Sequence, residues 1–210
     1  MSNITESEIE QFAIDLLKAQ GYDYLFGGDI SHDGNNPLRK SFVDVILFKR
    51  LKLAIKRINP DLTENALDDV INQITQINTP DLISNNEIFH RMLTEGVKIT
   101  YQKDDIERGD IAWLIDFKYP ENNDFLVVNQ FTVIQNHNNK RPDIIIFING
   151  LPIVVIELKN PAYEEATIKS AYNQLQTYKQ TIPSLFIYNE ILVISDGLEV
   201  KKGSLSAGFD

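Results

Sequence analysis

The stretch RPDIIIFINGLPIVVIELKNP, residues 141–161, constrains the fold more than any other part of the chain. Its two apolar runs, IIIFI and IVVI, are hydrophobic on both alternations of a strand. A strand of that kind is covered on both faces, so helices must flank the sheet. Asn149-Gly150 between the runs is a hairpin signal. The expectation is an α/β fold with a mixed sheet and helices on both faces, and a one-faced antiparallel sandwich is excluded. Three ionisable residues stand at the open end of the hairpin: Asp143 on the first strand, Glu157 and Lys159 on the second. Charges ending wholly apolar strands are costly unless paired or bound to a metal. Glu157 and Lys159 are two apart and share a face.

Register decides whether Asp143 joins them. A two-residue loop, Asn149-Gly150, pairs residues whose numbers sum to 299 and sets Asp143 opposite Ile156. A three-residue loop, Asn149-Gly150-Leu151, pairs residues summing to 300 and sets Asp143 opposite Glu157, with Cα atoms roughly 4.5–5.5 Å apart. Pro152 lacks an N–H and fits a disturbed ladder beside the turn. The even register is expected, because it alone clusters the charges. Two facing carboxylates are adequate for Mg²⁺, which keeps several waters and is held by one or two carboxylates. A lysine beside them can stabilise a charged phosphorus centre. Asp143, Glu157 and Lys159 therefore suffice for phosphodiester hydrolysis without histidine or cysteine.

Composition agrees. Cysteine is absent, which removes disulfides, thiolate zinc sites and thiol nucleophiles. The three histidines, His32, His90 and His137, share no short spacing, so a His-rich metal cage is excluded. The net charge of −10 argues against a general nucleic-acid coat protein, while leaving room for a local basic groove. No basic start with an apolar run opens the chain, and no apolar stretch approaches roughly 20 residues. A cytoplasmic protein without membrane contact is expected.

Ile9, Phe12, Ala13, Leu16 and Leu17 form one helical stripe, with Thr5 and Glu8 as a capping box and Gly21 as the stop. Residues 27–40 read as a loop. Residues 42–58, 64–77 and 84–95 read as helices, forming a helical insertion over about 42–95. Strands are expected at 110–117, 125–134, 143–148, 153–158 and 191–195, a helix at about 162–180, and a last strand in EVKKGSL. The catalytic sheet and helix then occupy 99–203 within one domain, 1–210. Trp113 and Phe117 read as core. The basic run Lys49, Arg50, Lys52, Lys56, Arg57 reads equally as a DNA-backbone track or a solvated face. His137, in the polar turn QNHNNKR just before Arg141, is placed to meet phosphate, with a surface loop residue as the safer reading.

The spacing Pro142-Asp143, then Glu157-Leu158-Lys159, resembles the PD-(D/E)xK nuclease superfamily. The longer string PDIIIFINGLPIVVIELKNP is similar to the N-terminal nuclease domain of the restriction (R) subunit of type I restriction–modification enzymes. The likeness extends to ESEIEQFAIDLLKAQGY at 6–22, DFLVVNQFTV at 124–133, Gln174-x-x-x-Tyr178 and VISDG at 193–197, and is thinnest over 42–95. It implies a restriction-endonuclease-like fold and Mg²⁺-dependent cleavage of double-stranded DNA. By this resemblance Asp143 and Glu157 are metal ligands, the Leu158 carbonyl is a candidate third, and Lys159 is the catalytic lysine. Gln174 and Tyr178 lie beside the active site and contact DNA or orient the catalytic groups. An acid on the first helix often completes such sites. Glu6 and Glu10 both match, and Glu10 is preferred.

No G-x-x-x-x-G-K-[ST] occurs, so no phosphate loop for ATP is expected here. The resemblance implies a fragment of a longer subunit whose translocase part uses ATP, with methylation and specificity subunits as partners. A non-catalytic nuclease-fold module for DNA holding or subunit docking is the alternative.

Overall fold

A computed structural model describes residues 5–103, 106–160 and 167–209. Helix α1 (Glu6–Ala19) starts at the expected capping box, in which Thr5 and Glu8 bond each other's backbone. It gives way to Gly21 at φ +94°, a left-handed position that glycine takes without steric cost. Strand β1 (Asp23–Phe26) follows, then the expected loop. Helices α2 (Phe48–Ile58), α3 (Glu64–Thr75) and α4 (Leu82–Glu95) come next. Strands β2 (Val97–Lys103) and β3 (Ile106–Ala112) pair with each other as a separate two-stranded sheet. Then come β4 (Phe125–Asn129), β5 (Val133–Gln135), β6 (Asn138–Lys140), β7 (Ile144–Ile148) and β8 (Leu151–Leu158). Helices α5 (Ile168–Thr181) and α6 (Pro183–Ile187) and strands β9 (Ile191–Ser195) and β10 (Val200–Gly203) complete the order. The first part of the helix expected from 162, residues 162–166, lies outside the described residues.

The main sheet runs β1-β4-β7-β8-β9-β10, with β1–β4 and β8–β9 parallel and the other neighbours antiparallel. It is the mixed, restriction-endonuclease-like α/β sheet expected from the apolar runs. Alternate residues of the central strands feed two cores. Ile144, Ile146 and Leu158 meet Ile14 of α1, with Ile9, Ala13 and Leu17 packed against them. Ile145, Phe147, Val155 and Ile153 face the larger core, which includes residues of α2, α3, α4, α5 and α6.

Several sequence expectations change. The strand expected at 110–117 ends at Ala112, because the segment after it turns around Asp116, whose carboxylate accepts from the Lys118 and Tyr119 amides. Trp113 and Phe117 are consequently exposed rather than core, Phe117 by 61%. The strand expected at 125–134 breaks at Gln130, where φ is +54°. The basic run is largely neutralised within the chain. Arg50 pairs with Asp124 and Asp23, Lys52 with Asp68 and Glu64, and Lys56 with Glu64, while Arg57 donates to the Asn122 carbonyl.

The stripe on α1 is also rotated from expectation. Phe12 is 65% exposed and Leu16 half-exposed, while Ile14 is buried. A sheet contacts a helix along a narrow line, and here that line runs through Ile9, Ala13, Ile14 and Leu17. Ile14→Ala is therefore expected to cost about 2–4 kcal/mol. Phe12→Ser should stay within about 0.5 kcal/mol. Chemical denaturation distinguishes the two, and equal losses would place the helix face wrongly.

Candidate active site

The hairpin β7–β8 builds the site, and its register is reached by an unexpected route. The turn has two residues, Asn149 at φ +54° and Gly150 at φ +79°, the type I′ geometry that matches strand twist. Gly150 is needed twice over. Its φ is left-handed, and a Cβ there would lie 2.6 Å from the Leu47 carbonyl. Beside the turn the odd register holds, with Ile148 opposite Leu151 and Phe147 opposite Pro152. A bulge then leaves Ile153 without a partner on β7, and beyond it Ile146 faces Val154 and Ile144 faces Ile156. The even register thus arises from an inserted residue rather than a three-residue loop. Continued by one residue, it sets Asp143 against Glu157.

The three charged residues come together there. Asp143 Oδ2 accepts from the Leu158 amide at 2.7 Å. Lys159 Nζ lies 3.1 Å from Glu157 Oε1 and 2.9 Å from the Leu158 carbonyl oxygen. The Lys159 amide donates to the Ser195 carbonyl, so β9 holds the end of β8 in place. Glu157 is completely buried. Burial, reinforced by Asp143 beside it, pushes its carboxyl up to about 8. Burial likewise pushes Asp143 up to about 6, against the opposing pull of the Leu158 amide and Lys159.

Helix α5 brings Gln174 and Tyr178 to the same side. Gln174 Nε2 donates to the Tyr178 hydroxyl at 2.6 Å. Tyr178 is buried, and burial followed by the charge of Glu157 raises its pKa. Gln174 thus touches the site's surroundings through the Tyr178 hydroxyl, and Tyr178 lies in the field of the carboxylates.

The first-helix glutamates divide. Glu6 approaches Lys159, Oε1 to Nζ 3.9 Å. Both Glu10 oxygens accept side-chain amides, from Asn129 and Gln130 at 2.6 Å each. Tyr24 adds its hydroxyl to Asn129 Oδ1 at 3.0 Å, and the Gln130 amide donates to the Asp143 carbonyl at 2.9 Å. Glu10 thus clamps the kinked end of β4, which in turn holds the backbone of Asp143. Sequence reasoning did not single out Tyr24, Asn129 or Gln130. The available signal was a polar pair, Asn129-Gln130, closing the apolar run FLVV.

The donor set fits a hard divalent cation. Glu157 Oε2 is buried with no hydrogen-bond partner. A buried carboxylate oxygen without a donor is a costly arrangement that a cation relieves. Among the described residues, no three His, Asp or Glu side chains form a metal cluster. Two carboxylates with a backbone carbonyl and waters suit Mg²⁺ better than an all-protein cage.

A family described as the type I restriction enzyme R protein N terminus matches residues 3–210. The chain is 39% identical over 207 residues to the type I restriction enzyme HindI endonuclease subunit of Haemophilus influenzae, covering 98% of this chain and 20% of that protein. It is 40% identical over 205 residues to the putative MjaIXP endonuclease subunit of Methanocaldococcus jannaschii, covering 96% of this chain and 19% of the relative. A Staphylococcus aureus relative, the SauMSSORF170P endonuclease subunit, is 34% identical over 121 residues, 57% of this chain and 12% of its own length. The chain thus spans about a fifth of the first two relatives. Among the described residues no helix is long and apolar enough to cross a membrane.

Proposed function

This chain belongs to the family of type I restriction enzyme R protein N termini, and on that premise we propose that it hydrolyses double-stranded DNA with Mg²⁺ held by Asp143 and Glu157. The observation that carries the reading is the orphaned, buried Glu157 Oε2 beside a second buried carboxylate and a lysine. Methylation and specificity subunits are the partners this reading implies, and ATP belongs to the translocase part of the longer subunit.

Asp143 and Glu157 would hold the metal, with the Leu158 carbonyl oxygen close by. When bound, such an ion would supply Lewis-acid charge to a phosphodiester and lower the pKa of a nearby water. Lys159 is 13% exposed at its side chain and is held by Glu157 and the Leu158 carbonyl. From there its ammonium offers positive charge to phosphoryl oxygens as negative charge develops on them. Tyr178, buried on α5 in the field of Glu157 and Asp143, holds its hydroxyl on Gln174. Glu10, through Asn129 and Gln130, positions Asp143 and is left without a role as a ligand in this reading.

Two variants separate holding the metal from using it. In the R subunit carrying this chain, Asp143→Asn should abolish Mn²⁺ binding in calorimetry together with DNA cleavage. Lys159→Ala should retain Mn²⁺ binding and lose cleavage by about 10²–10³-fold. Wild-type cleavage in either variant would overturn the reading. A wild-type subunit without Mn²⁺ binding dependent on Asp143 and Glu157 would instead be the non-catalytic module for DNA holding or subunit docking.

A further inference from the structure

Strands β5 and β6 form a ribbon apart from the main sheet, pairing Val133 with Lys140, Ile134 with Asn139 and Gln135 with Asn138. Its root is anchored. Val133 is buried, the Ile134 amide donates to the Phe42 carbonyl, and Gln135 Oε1 accepts from the Ser184 amide at 3.1 Å. β6 lies against α5, the helix that carries Gln174 and Tyr178. From the tip back to the base, the returning side of the ribbon is polar: Asn136, His137, Asn138 and Asn139, then Lys140 and Arg141 where it leaves the root. Of these, Asn136, His137, Asn139 and Arg141 are exposed.

Charge sets this ribbon apart. No acid stands between Asp124 and Asp143 in a chain of net charge −10. Among the described residues neither Lys140 nor Arg141 is in an ion pair, whereas the cations of α2 are largely spent within the fold. The tip is a second type I′ turn, with Asn136 at φ +48° and His137 at φ +65°. The equivalent place in the β7–β8 turn is taken by Gly150, the residue that fits it freely. At the ribbon tip an exposed imidazole stands there instead, on a backbone held at a left-handed φ.

The reach is suitable. Lys140 precedes Asp143 by three residues and the tip precedes it by six. At about 3.6 Å per residue, these lie within roughly 11 Å and 22 Å of Asp143. A B-DNA major groove, about 12 Å wide, admits a two-stranded ribbon, and Asn side chains can read base edges there. Cations at the base of such a ribbon meet phosphates.

We propose that the β5–β6 ribbon is a duplex-DNA contact element that seats the substrate beside the carboxylate site. Lys140 and Arg141 hold phosphates, and the Asn136–His137 tip enters a groove. The inference rests on the nuclease reading above and assigns it a DNA-holding surface.

Anisotropy of a fluorescent duplex of mixed sequence, titrated with the R subunit at several salt concentrations, tests it. The Lys140→Ala, Arg141→Ala double variant should bind at least about tenfold more weakly. Its plot of log affinity against log salt should flatten by about 2, since each lost phosphate contact removes about 0.9. Mn²⁺ affinity and thermal midpoint should stay at wild-type values. His137→Gly relaxes the turn and should also weaken binding, with the salt slope retained. Unchanged affinity and slope in the double variant would overturn the ribbon's role, as would a wild-type subunit without salt-dependent duplex binding. Loss of subunit assembly with duplex affinity intact would mark a protein contact and overturn it as well. The nuclease reading is judged separately, by cleavage in Asp143→Asn, so failure of one is distinguishable from failure of the other.

Discussion

Glu157→Gln is expected to lower DNA cleavage by at least about 10²-fold and, in the metal-free protein at alkaline pH, to raise stability. The two effects have one cause. Glu157 is completely buried, one oxygen has no hydrogen-bond partner, and burial with Asp143 alongside lifts its carboxyl to about 8. Unfolded, the same group titrates in the ordinary carboxylate range near 4.5. Between those two values the folded chain binds more protons than the unfolded one, so stability falls as pH rises. Asp143, lifted to about 6, adds to the slope over the lower part of that window. Glutamine copies the neutral form at every pH and removes Glu157's contribution.

The variant should therefore match wild type near pH 4 and exceed it near pH 9 by several kcal/mol, each tenfold displacement of the protonation equilibrium between 4.5 and about 8 being worth about 1.4 kcal/mol. Adding Mn²⁺ at pH 9 should stabilise wild type and leave the variant unmoved, because a ligand stabilises only the state that binds it. Urea denaturation at both pH values, with and without Mn²⁺, reads all of this. A variant less stable than wild type at pH 9 without metal would mean that Glu157 is a structural ion pair with Lys159, and the strain attributed to the site would be absent.

Asn149→Ala carries the largest stability loss expected away from the site. Sequence marks Asn149 only as a turn residue, yet its side chain is buried and bonded on every side. Nδ2 donates to the Leu114 carbonyl and to Asn123 Oδ1 at 2.8 Å each, and Oδ1 accepts from the Asp124 amide at 2.7 Å. Its own amide donates to the Asp124 carbonyl. Alanine strands those buried partners and keeps a Cβ at a left-handed φ, a loss of roughly 3–4 kcal/mol. Asn149→Gly removes the same bonds and relieves the backbone, so it should fall between alanine and wild type. A loss under about 1 kcal/mol for alanine would show that the hub is not holding the turn.

The sheet was legible because burial on both faces leaves a direct mark: IIIFI and IVVI have no polar alternation to hide. The capping box at Thr5 and Glu8 was equally local and stands as read. Expectations failed where a segment's neighbours, not its own composition, set the outcome. Phe12 fits the helical stripe as well as Ile14 does, but a sheet accepts only one line of contact along α1. Trp113 and Phe117 are apolar and lie just past the point where β3 loses its partner strand. β1 is short and half-polar, and it exists because β4 offers it a parallel edge.

The same division runs through the site. Residue types and spacing alone singled out Asp143, Glu157 and Lys159, since three charges closing two apolar strands demand an explanation. Their convergence was a matter of tertiary structure: a two-residue turn gives the odd register, and one unpaired residue, Ile153, shifts it. That residue's carbonyl is occupied by the Glu190 amide and the Asn189 side chain, contacts from a distant loop that no local pattern announces. The chain's sequence determined which groups must be buried. Long-range packing decided their facing partners, because strand register is fixed by a single inserted residue and the energy holding that residue comes from elsewhere in the fold.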